Sequence, residues 1–257
     1  MRSRIRRGLG ATAAAAVIAA GCVAQVAAAP AAQAASTTYV PPRHDLFYGN
    51  KGAAVRSVQR RLAQLHYYPG PVDGKYGADL EQAVWAFKEV QGLPMNAYSN
   101  SVITYAFRRA LVHPKRPRVL IKHGPASRIE INQNIEVLVL YRRSRPQLIL
   151  HVSTGGNCLI DQGCGWITPD GNYTALSFDP GWVHVPLGEM YNPVFFIGTA
   201  YAIHGDIPVP WYPDSHGCVR IWMDAAAWFH RDVTVNPDGH GTAVYIRGTA
   251  PYSPLAN

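Results

Sequence analysis

Hydrophobic periodicity changes once along this chain, close to Arg118, and that change limits how the sequence can fold. Before it, apolar residues recur every three or four positions. Val55, Val58, Leu62 and Leu65 form one stripe between Ala54 and Leu65, and Leu80, Val84, Phe87 and Val90 form a second between Leu80 and Val90. Each pattern marks a helix that buries one face. Ser99 to Leu111 is a third candidate, with Val102, Ala106 and Leu111 inward. Between the first two, Pro69-Gly70-Pro71, Asp73-Gly74 and Gly77 supply turn chemistry. After Arg118, the stretches Arg128–Tyr141 and Gln147–Ser153 are rich in Ile, Val and Leu with partial period-two alternation, which indicates strands. Glycines and prolines then punctuate shorter strand-like runs, including Val194–His204 and Ala243–Arg247, and only Met223–His230 reads as a helix. The expected fold is α+β in two domains: a small three-helix domain over residues 36–113, then a mainly β, sandwich-like domain over 128–248. A linker over 114–127, with Pro114, Pro117 and basic neighbours, separates them, and 249–257 forms a tail.

Composition removes several function classes. Apolar residues make up 48% and charged residues 16% of the 257, so a packed core is expected rather than general disorder. The formal net charge of +8 includes Arg2, Arg4, Arg6 and Arg7, which are the only charges before residue 36. Without them no basic stripe of the kind nucleic-acid binding needs is left, so a nucleic-acid partner is not expected. Residues 1–35 read as an export signal: an Arg-rich start, an uncharged run from Leu9 to Val26, and Ala32-Gln33-Ala34 as a small-x-small cleavage site. The same run is also readable as a membrane anchor, although its Ala and Gly content drives insertion weakly. Arg6-Arg7 and Cys22 offer twin-arginine export and lipidation as further routes. The primary expectation is an exported protein of the cell wall, with no stable membrane insertion after cleavage.

If Cys22 leaves with the leader, Cys158, Cys164 and Cys218 remain, an odd number. Cys158 and Cys164 flank a five-residue loop that can close into a disulfide outside the cytosol. Cys218 then needs its own reason. It lies in Ser215-His216-Gly217-Cys218-Val219-Arg220, fourteen residues after His204-Gly205. A thiol with a free pKa of about 8.5 is a weak nucleophile at neutral pH unless a base stands within hydrogen-bond reach and donors await an oxyanion. His204 is a candidate base, and the backbone N–H groups of Gly217 and Cys218 are candidate donors. Taken alone, Cys218 reads first as an inert buried cysteine, and also as a zinc ligand with His204 and His216 or as a disulfide partner.

Two resemblances bear on these alternatives. Leu46…Gly49…Gly52…Val55…Gln59…Leu62…Leu65, then Val72-Asp73-Gly74-Lys75-Tyr76-Gly77 and Ala83-Val84…Phe87…Gly92-Leu93, is similar to the type 1 peptidoglycan-binding domain over about 50 residues. The resemblance implies docking of wall glycan or stem peptide beside the turn at Asp73, Gly74, Tyr76 and Gly77. Asp79 stands where that family usually has Thr, and is expected to cap the second helix. The Ser-His-Gly-Cys-x-Arg motif after a His-Gly resembles the L,D-transpeptidase (YkuD-type) signature. Ser153-Thr154-Gly155-Gly156, Thr168-Pro169-Asp170-Gly171-Asn172-Tyr173 and Gly241-Thr242-Ala243-Val244-Tyr245-Ile246 resemble other segments of that family, in family order, with Ala243 in place of Pro.

The second resemblance implies Cys218 as nucleophile and His204 as proton donor and acceptor. It further implies the Gly205 carbonyl as the group orienting His204, Ser215, His216 and Gly217 as the site and oxyanion pocket, and Arg220 as a local organiser or substrate contact. Trp211 and Tyr212, between base and nucleophile, are the aromatics expected to line the cleft, with the remaining aromatics mostly in the core. The implied reaction breaks the bond before the terminal D-Ala of a stem tetrapeptide and passes the acyl group to an amine of another stem, giving a 3→3 cross-link. Peptidoglycan stem peptides and glycan are the implied partners, no metal or organic cofactor is needed, and carbapenems are expected to acylate Cys218. Two departures accompany the match: a short His204-to-Cys218 spacer with Pro208, Pro210 and Pro213, and the Cys158–Cys164 loop. Competing functions are an L,D-carboxypeptidase using water as acceptor, a non-catalytic wall-binding protein, and a zinc amidase or carboxypeptidase, for which the ligand motifs are missing.

Overall fold

The computed structural model describes residues 39–156 and 166–251. The leader, Cys22, Cys158 and Cys164 lie outside the described residues, as do 252–257. No helix among the described residues is long and apolar enough to cross a membrane.

Helix α1 runs Ala53–Gln64 and α2 runs Ala78–Gln91, close to the periodicity; Val55, Val58, Leu62, Leu80, Val84 and Phe87 are buried, and Leu65 and Val90 are partly so. The turn joining them is organised by Gln59. Its Oε1 accepts from the Gly74 N–H (2.7 Å), and its Nε2 donates to the Pro71 carbonyl (2.9 Å) and to Asp73 Oδ1 (3.1 Å). Gly74 has φ +80°, and a Cβ there would meet the Gly52 carbonyl at 2.9 Å, so only glycine fits. Asp79 does not cap α2. The N-cap is Gly77 with no side-chain bond, and the Asp79 carboxylate turns away to accept from Trp222 Nε1 (2.8 Å). Helix α3, Tyr105–Val112, starts later than expected because Thr104 accepts from the Phe107 N–H and sets the start. Leu111 faces inward as expected, but Phe107 is buried beside it and Ala106, expected inward, is exposed.

The rest is two five-stranded sheets. One contains β1 (Arg128–Asn132), β2 (Val137–Arg142), β3 (Arg145–His151), β4 (Gly171–Thr174) and β10 (Ala243–Arg247), in the order β3-β2-β1-β10-β4. The other has β5 (Ser177–Phe178), β7 (Gly188–Ile197), β8 (Tyr201–Asp206) and β9 (Val219–Trp222) side by side, with β6 (Trp182–Val185) also pairing β7. Helix α4 is Met223–Phe229. Two runs expected as single strands each divide. Arg128–Tyr141 breaks at a 3-10 turn, Gln133–Ile135, followed by Glu136 at φ 49°, and Val194–His204 reverses between β7 and β8.

The partial alternation in β2 and β3 has a physical cause. Leu138, Leu140, Leu148 and Leu150 face the second sheet, while Val137, Val139, Tyr141 and Ile149 join the helical core with Leu62, Phe87 and Phe107. Both faces are buried, so apolar residues run without interruption. The helices therefore form a third layer against the first sheet. The Ile149 N–H donates to the His66 carbonyl (2.8 Å), which ties the chain beyond α1 to edge strand β3. At 114–127, Gln91 and Lys115 exchange hydrogen bonds, and the Leu120 and Ile121 N–H groups donate to buried Glu130.

Candidate active site

Strands β8 and β9 run parallel, with His204 opposite Arg220. Cys218 sits just before β9, so the adjoining strands carry the candidate base and the thiol to one end of the second sheet. Both border a cavity of about 850 Å³ with Ser215, His216 and Arg220. The far wall is the β6–β7 hairpin, including Trp182, Val185 and Leu187, and Asp206, Ile207 and Pro208 close one side. Trp182, Leu187 and Ile207 keep about half or more of their surface in solvent, at 49%, 51% and 61%. Their apolar side chains rim the opening. Trp211 and Tyr212 do not line this cavity; their rings pack edge to face on each other, 5.6 Å between centroids. Trp182 faces outward because the register pairing it with Tyr191 leaves it on the solvent side of the short β6 strand.

The segment carrying the thiol is fixed by the two motifs upstream. Ser153 and Arg220 exchange backbone hydrogen bonds (3.0 Å each), and the Ser215 N–H donates to the Thr154 carbonyl (3.1 Å). Thr168 Oγ1 donates to the Gly217 carbonyl (2.8 Å) and accepts from the Gly155 N–H (2.8 Å). Thr154 is held in turn by buried Glu136, which accepts from its N–H (2.6 Å) and its Oγ1 (2.7 Å). Burial pushes the Glu136 carboxyl up to about 8. Gly217 has φ +120°, and a Cβ would meet the Tyr201 ring at 2.6 Å; a Cβ on Gly155 would meet Gly217 Cα at 2.7 Å. The glycines permit this close backbone contact. Ser215 Oγ donates to the Cys218 carbonyl (2.5 Å) and accepts from the Gly217 N–H (3.0 Å). That second bond removes the Gly217 N–H from the expected oxyanion donors. His216 packs its ring edge to face with Trp166, 5.1 Å between centroids.

His204 Nδ1 lies 3.0 Å from the Gly205 carbonyl. A carbonyl only accepts, so Nδ1 carries the hydrogen and Nε2 keeps its lone pair. Burial holds His204 below the ordinary histidine value, only partly countered by the Gly205 carbonyl and Asp206. Burial also pushes the Cys218 thiol up. Burial thus favours the uncharged form of both groups, the imidazole of His204 and the thiol of Cys218. Arg220 is committed to carboxylates, with Nε 2.8 Å from Asp206 and Nη1 3.5 Å from Asp214. It organises the segment between base and nucleophile. No three His, Cys, Asp or Glu side chains among the described residues stand close enough together to hold a metal ion.

In the helical domain the four signature residues serve the turn itself. Asp73 Oδ1 accepts from the Lys75 N–H (2.9 Å), the Gly74 N–H is taken by Gln59, and Gly77 starts α2. Tyr76 is buried, with its hydroxyl on the Ser101 carbonyl (2.5 Å). The sequence did not single out Gln82 and His151, which bond the 207–214 segment, or Glu89, which bonds His151.

Residues 51–100 match the peptidoglycan binding domain family, and residues 126–246 match the L,D-transpeptidase catalytic domain (YkuD) family. A crystal structure of residues 123–326 of the L,D-transpeptidase from Xylanimonas cellulosilytica is similar over 81% of this chain and 100% of that one, at 29% identity and a TM-score of 0.67. The L,D-transpeptidase from Stackebrandtia nassauensis aligns over 83% of this chain and 100% of that one, at 15% identity and a TM-score of 0.48. A search of curated proteins found no match. On these matches, the chain carries an L,D-transpeptidase catalytic domain behind a peptidoglycan-binding domain.

Proposed function

We propose that the protein is an exported cysteine L,D-transpeptidase that forms 3→3 cross-links in peptidoglycan. The observation that carries this reading is the placement of His204, with Nδ1 on the Gly205 carbonyl, and Cys218 on one cavity. Cys218 gives its proton to His204 Nε2 as sulfur attacks the carbonyl of the third stem residue. The oxyanion falls to the Cys218 N–H, since Ser215 occupies that of Gly217. The C–N bond to D-Ala breaks, and His204 returns the proton to the departing amine. An amine of a second stem then attacks the thioester, His204 takes its proton, and the thiol is restored as the new amide forms. The apolar rim at Trp182, Leu187 and Ile207 suits exclusion of water from the thioester. By the same chemistry, a carbapenem is opened by Cys218 and stays as a covalent adduct.

The test is product analysis with a disaccharide-tetrapeptide, comparing wild type with Cys218→Ala. A cross-linked dimer lacking one D-Ala, absent from the variant, is expected. A tripeptide alone would assign a carboxypeptidase. No product from either protein would overturn the enzymatic reading.

A further inference from the structure

Between the base and the nucleophile the chain must cross residues 207–214, and Pro208, Pro210 and Pro213 leave this segment three backbone donors short. It belongs to no strand or helix. Its carbonyls are nevertheless taken one after another by side chains. Gln82 Nε2 donates to the Val209 carbonyl (2.9 Å), His151 Nε2 to the Pro210 carbonyl (2.8 Å), and Ser153 Oγ to the Tyr212 carbonyl (2.8 Å). The same Ser153 Oγ accepts from the Asp214 N–H (3.0 Å).

Two of these anchors trace back to α2. Gln82 is on it. His151 is on β3, but its Nδ1 lies 2.7 Å from Oε1 of Glu89, also on α2, and the two side chains are 0% and 7% exposed. The Pro210 carbonyl can only accept, so His151 Nε2 carries a hydrogen, and the Nδ1–Glu89 contact holds one further shared proton. The Trp85 ring, again on α2, packs edge to face on the imidazole, 5.3 Å between centroids. Glu136 is the other charged group that acts on this histidine.

We propose that Gln82 and Glu89 of the peptidoglycan-binding domain are positioning residues for the reaction at Cys218, holding the 207–214 segment directly and through His151. The proposal rests on the transpeptidase reading above. Ile207 and Pro208, at the start of the segment, wall the cavity, and Asp214, at its end, pairs with Arg220. Reach explains the effect: a wall displaced by about 1 Å can cost about a hundredfold in rate. The thiol's own segment is held by Ser153, Thr154 and Thr168, and Gln82 and His151 bond only to Val209 and Pro210 in the segment before it.

The experiment compares wild type, Gln82→Ala, Glu89→Ala and Glu89→Gln as full chains. Three readouts are taken: kcat and KM with a disaccharide-tetrapeptide, alkylation of Cys218 by iodoacetamide, and amide hydrogen exchange at Ile207, Val209, Trp211, Tyr212 and Asp214. A glutamine at 89 can donate to neutral His151 Nδ1 and leave Nε2–H on Pro210, so it preserves the relay without the charge. Expected are a loss of about tenfold or more in kcat/KM and faster exchange for the two alanine variants, with Cys218 alkylation unchanged and Glu89→Gln within about threefold of wild type. Wild-type kcat/KM and exchange in both alanine variants would overturn the proposal. So would a Glu89→Gln variant as impaired as Glu89→Ala. If Glu89→Ala does not fold, Gln82→Ala decides the matter by the same two readouts. An inactive wild type would instead mark failure of the transpeptidase reading, and the positioning role would fall with it.

Discussion

Two buried histidines sit in regions that treat them differently. His151, between α2 and the first sheet, and His204, in the second sheet, are each nearly sealed from solvent. Burial pushes both towards the neutral form. For His151 the carboxylates of Glu89 and Glu136 more than reverse this, and its pKa rises; for His204 no unpaired carboxylate is at hand, Asp206 being tied to Arg220, and its pKa falls. The difference teaches that partner chemistry, more than depth, decides what a buried imidazole can do. His151 has both ring nitrogens bonded and serves as a fixed link. His204 has one nitrogen bonded and one to spare, which is what a base needs.

The sharpest way to break this comparison is to remove each ring. Cys218→Ala abolishes turnover, and His204→Gln lowers kcat by roughly 100- to 10,000-fold in a stem-peptide assay. His151→Gln costs far less, about tenfold; equal losses at the two histidines would end the distinction. The next effect is on pH. His204 must be unprotonated to take the thiol proton, so kcat/KM falls about tenfold per pH unit on the acid side, with its midpoint below the ordinary histidine value of about 6.5. A midpoint above that value would contradict the environment assigned to His204.

A smaller effect concerns stability. Glu89 and Glu136 are raised by burial to about 7 and about 8, so the folded state prefers their protonated forms. Their penalty is absent at or below the unfolded carboxyl value and grows as pH rises towards 8. His151 shares one proton with Glu89, so it adds no separate contribution to this pH dependence. Glu136→Gln should therefore shrink the fall in Tm between pH 5 and 8.5, by about 3 °C for each ~1 kcal/mol removed, in thermal scans across that range. The smallest effect is at Asp79, raised to about 6 by burial and by Asp224. Asp79→Asn keeps an acceptor for Trp222 and removes the charge, so stability at pH 7.5 should change by less than about 1 kcal/mol, measured by urea denaturation.

The residues to which we assign the chemistry could be proposed from sequence because they are close together in it. Cys218, Ser215, Gly217 and His204 fall within fifteen residues and share one constellation. The helices of the first domain were legible from spacing, apart from the start of α3, where a Thr104 cap overrode an apolar pattern that continued upstream. What sequence did not show is what the fold brings together from far away. Glu89 lies 62 residues from His151, and Gln82 lies 127 from Val209; nothing local distinguishes either from a solvated polar residue on a helix. The strand break at Glu136 was hidden for a related reason. A glutamate in a short apolar stretch reads as the polar side of a strand, whereas its backbone is left-handed and its carboxylate is buried on Thr154. Trp182 was not singled out, because an aromatic pattern does not reveal which side of a short strand is covered.

The bond from Ile149 to the His66 carbonyl, with Val137, Val139 and Tyr141 beneath the helices, carries a consequence for how the chain is made. Strand β3 is the outer strand of its sheet, and without the helices it would present an unsatisfied edge beside a bare apolar face. The helical domain precedes that hairpin in the chain, so it is synthesised first and can collapse before β2 and β3 exist. It then offers the arriving hairpin a ready surface and an edge partner. A proteolytic cut that frees the catalytic half from its first domain would leave that edge open to pairing with a second molecule, and self-association rather than an active fragment is the outcome such a cut should give.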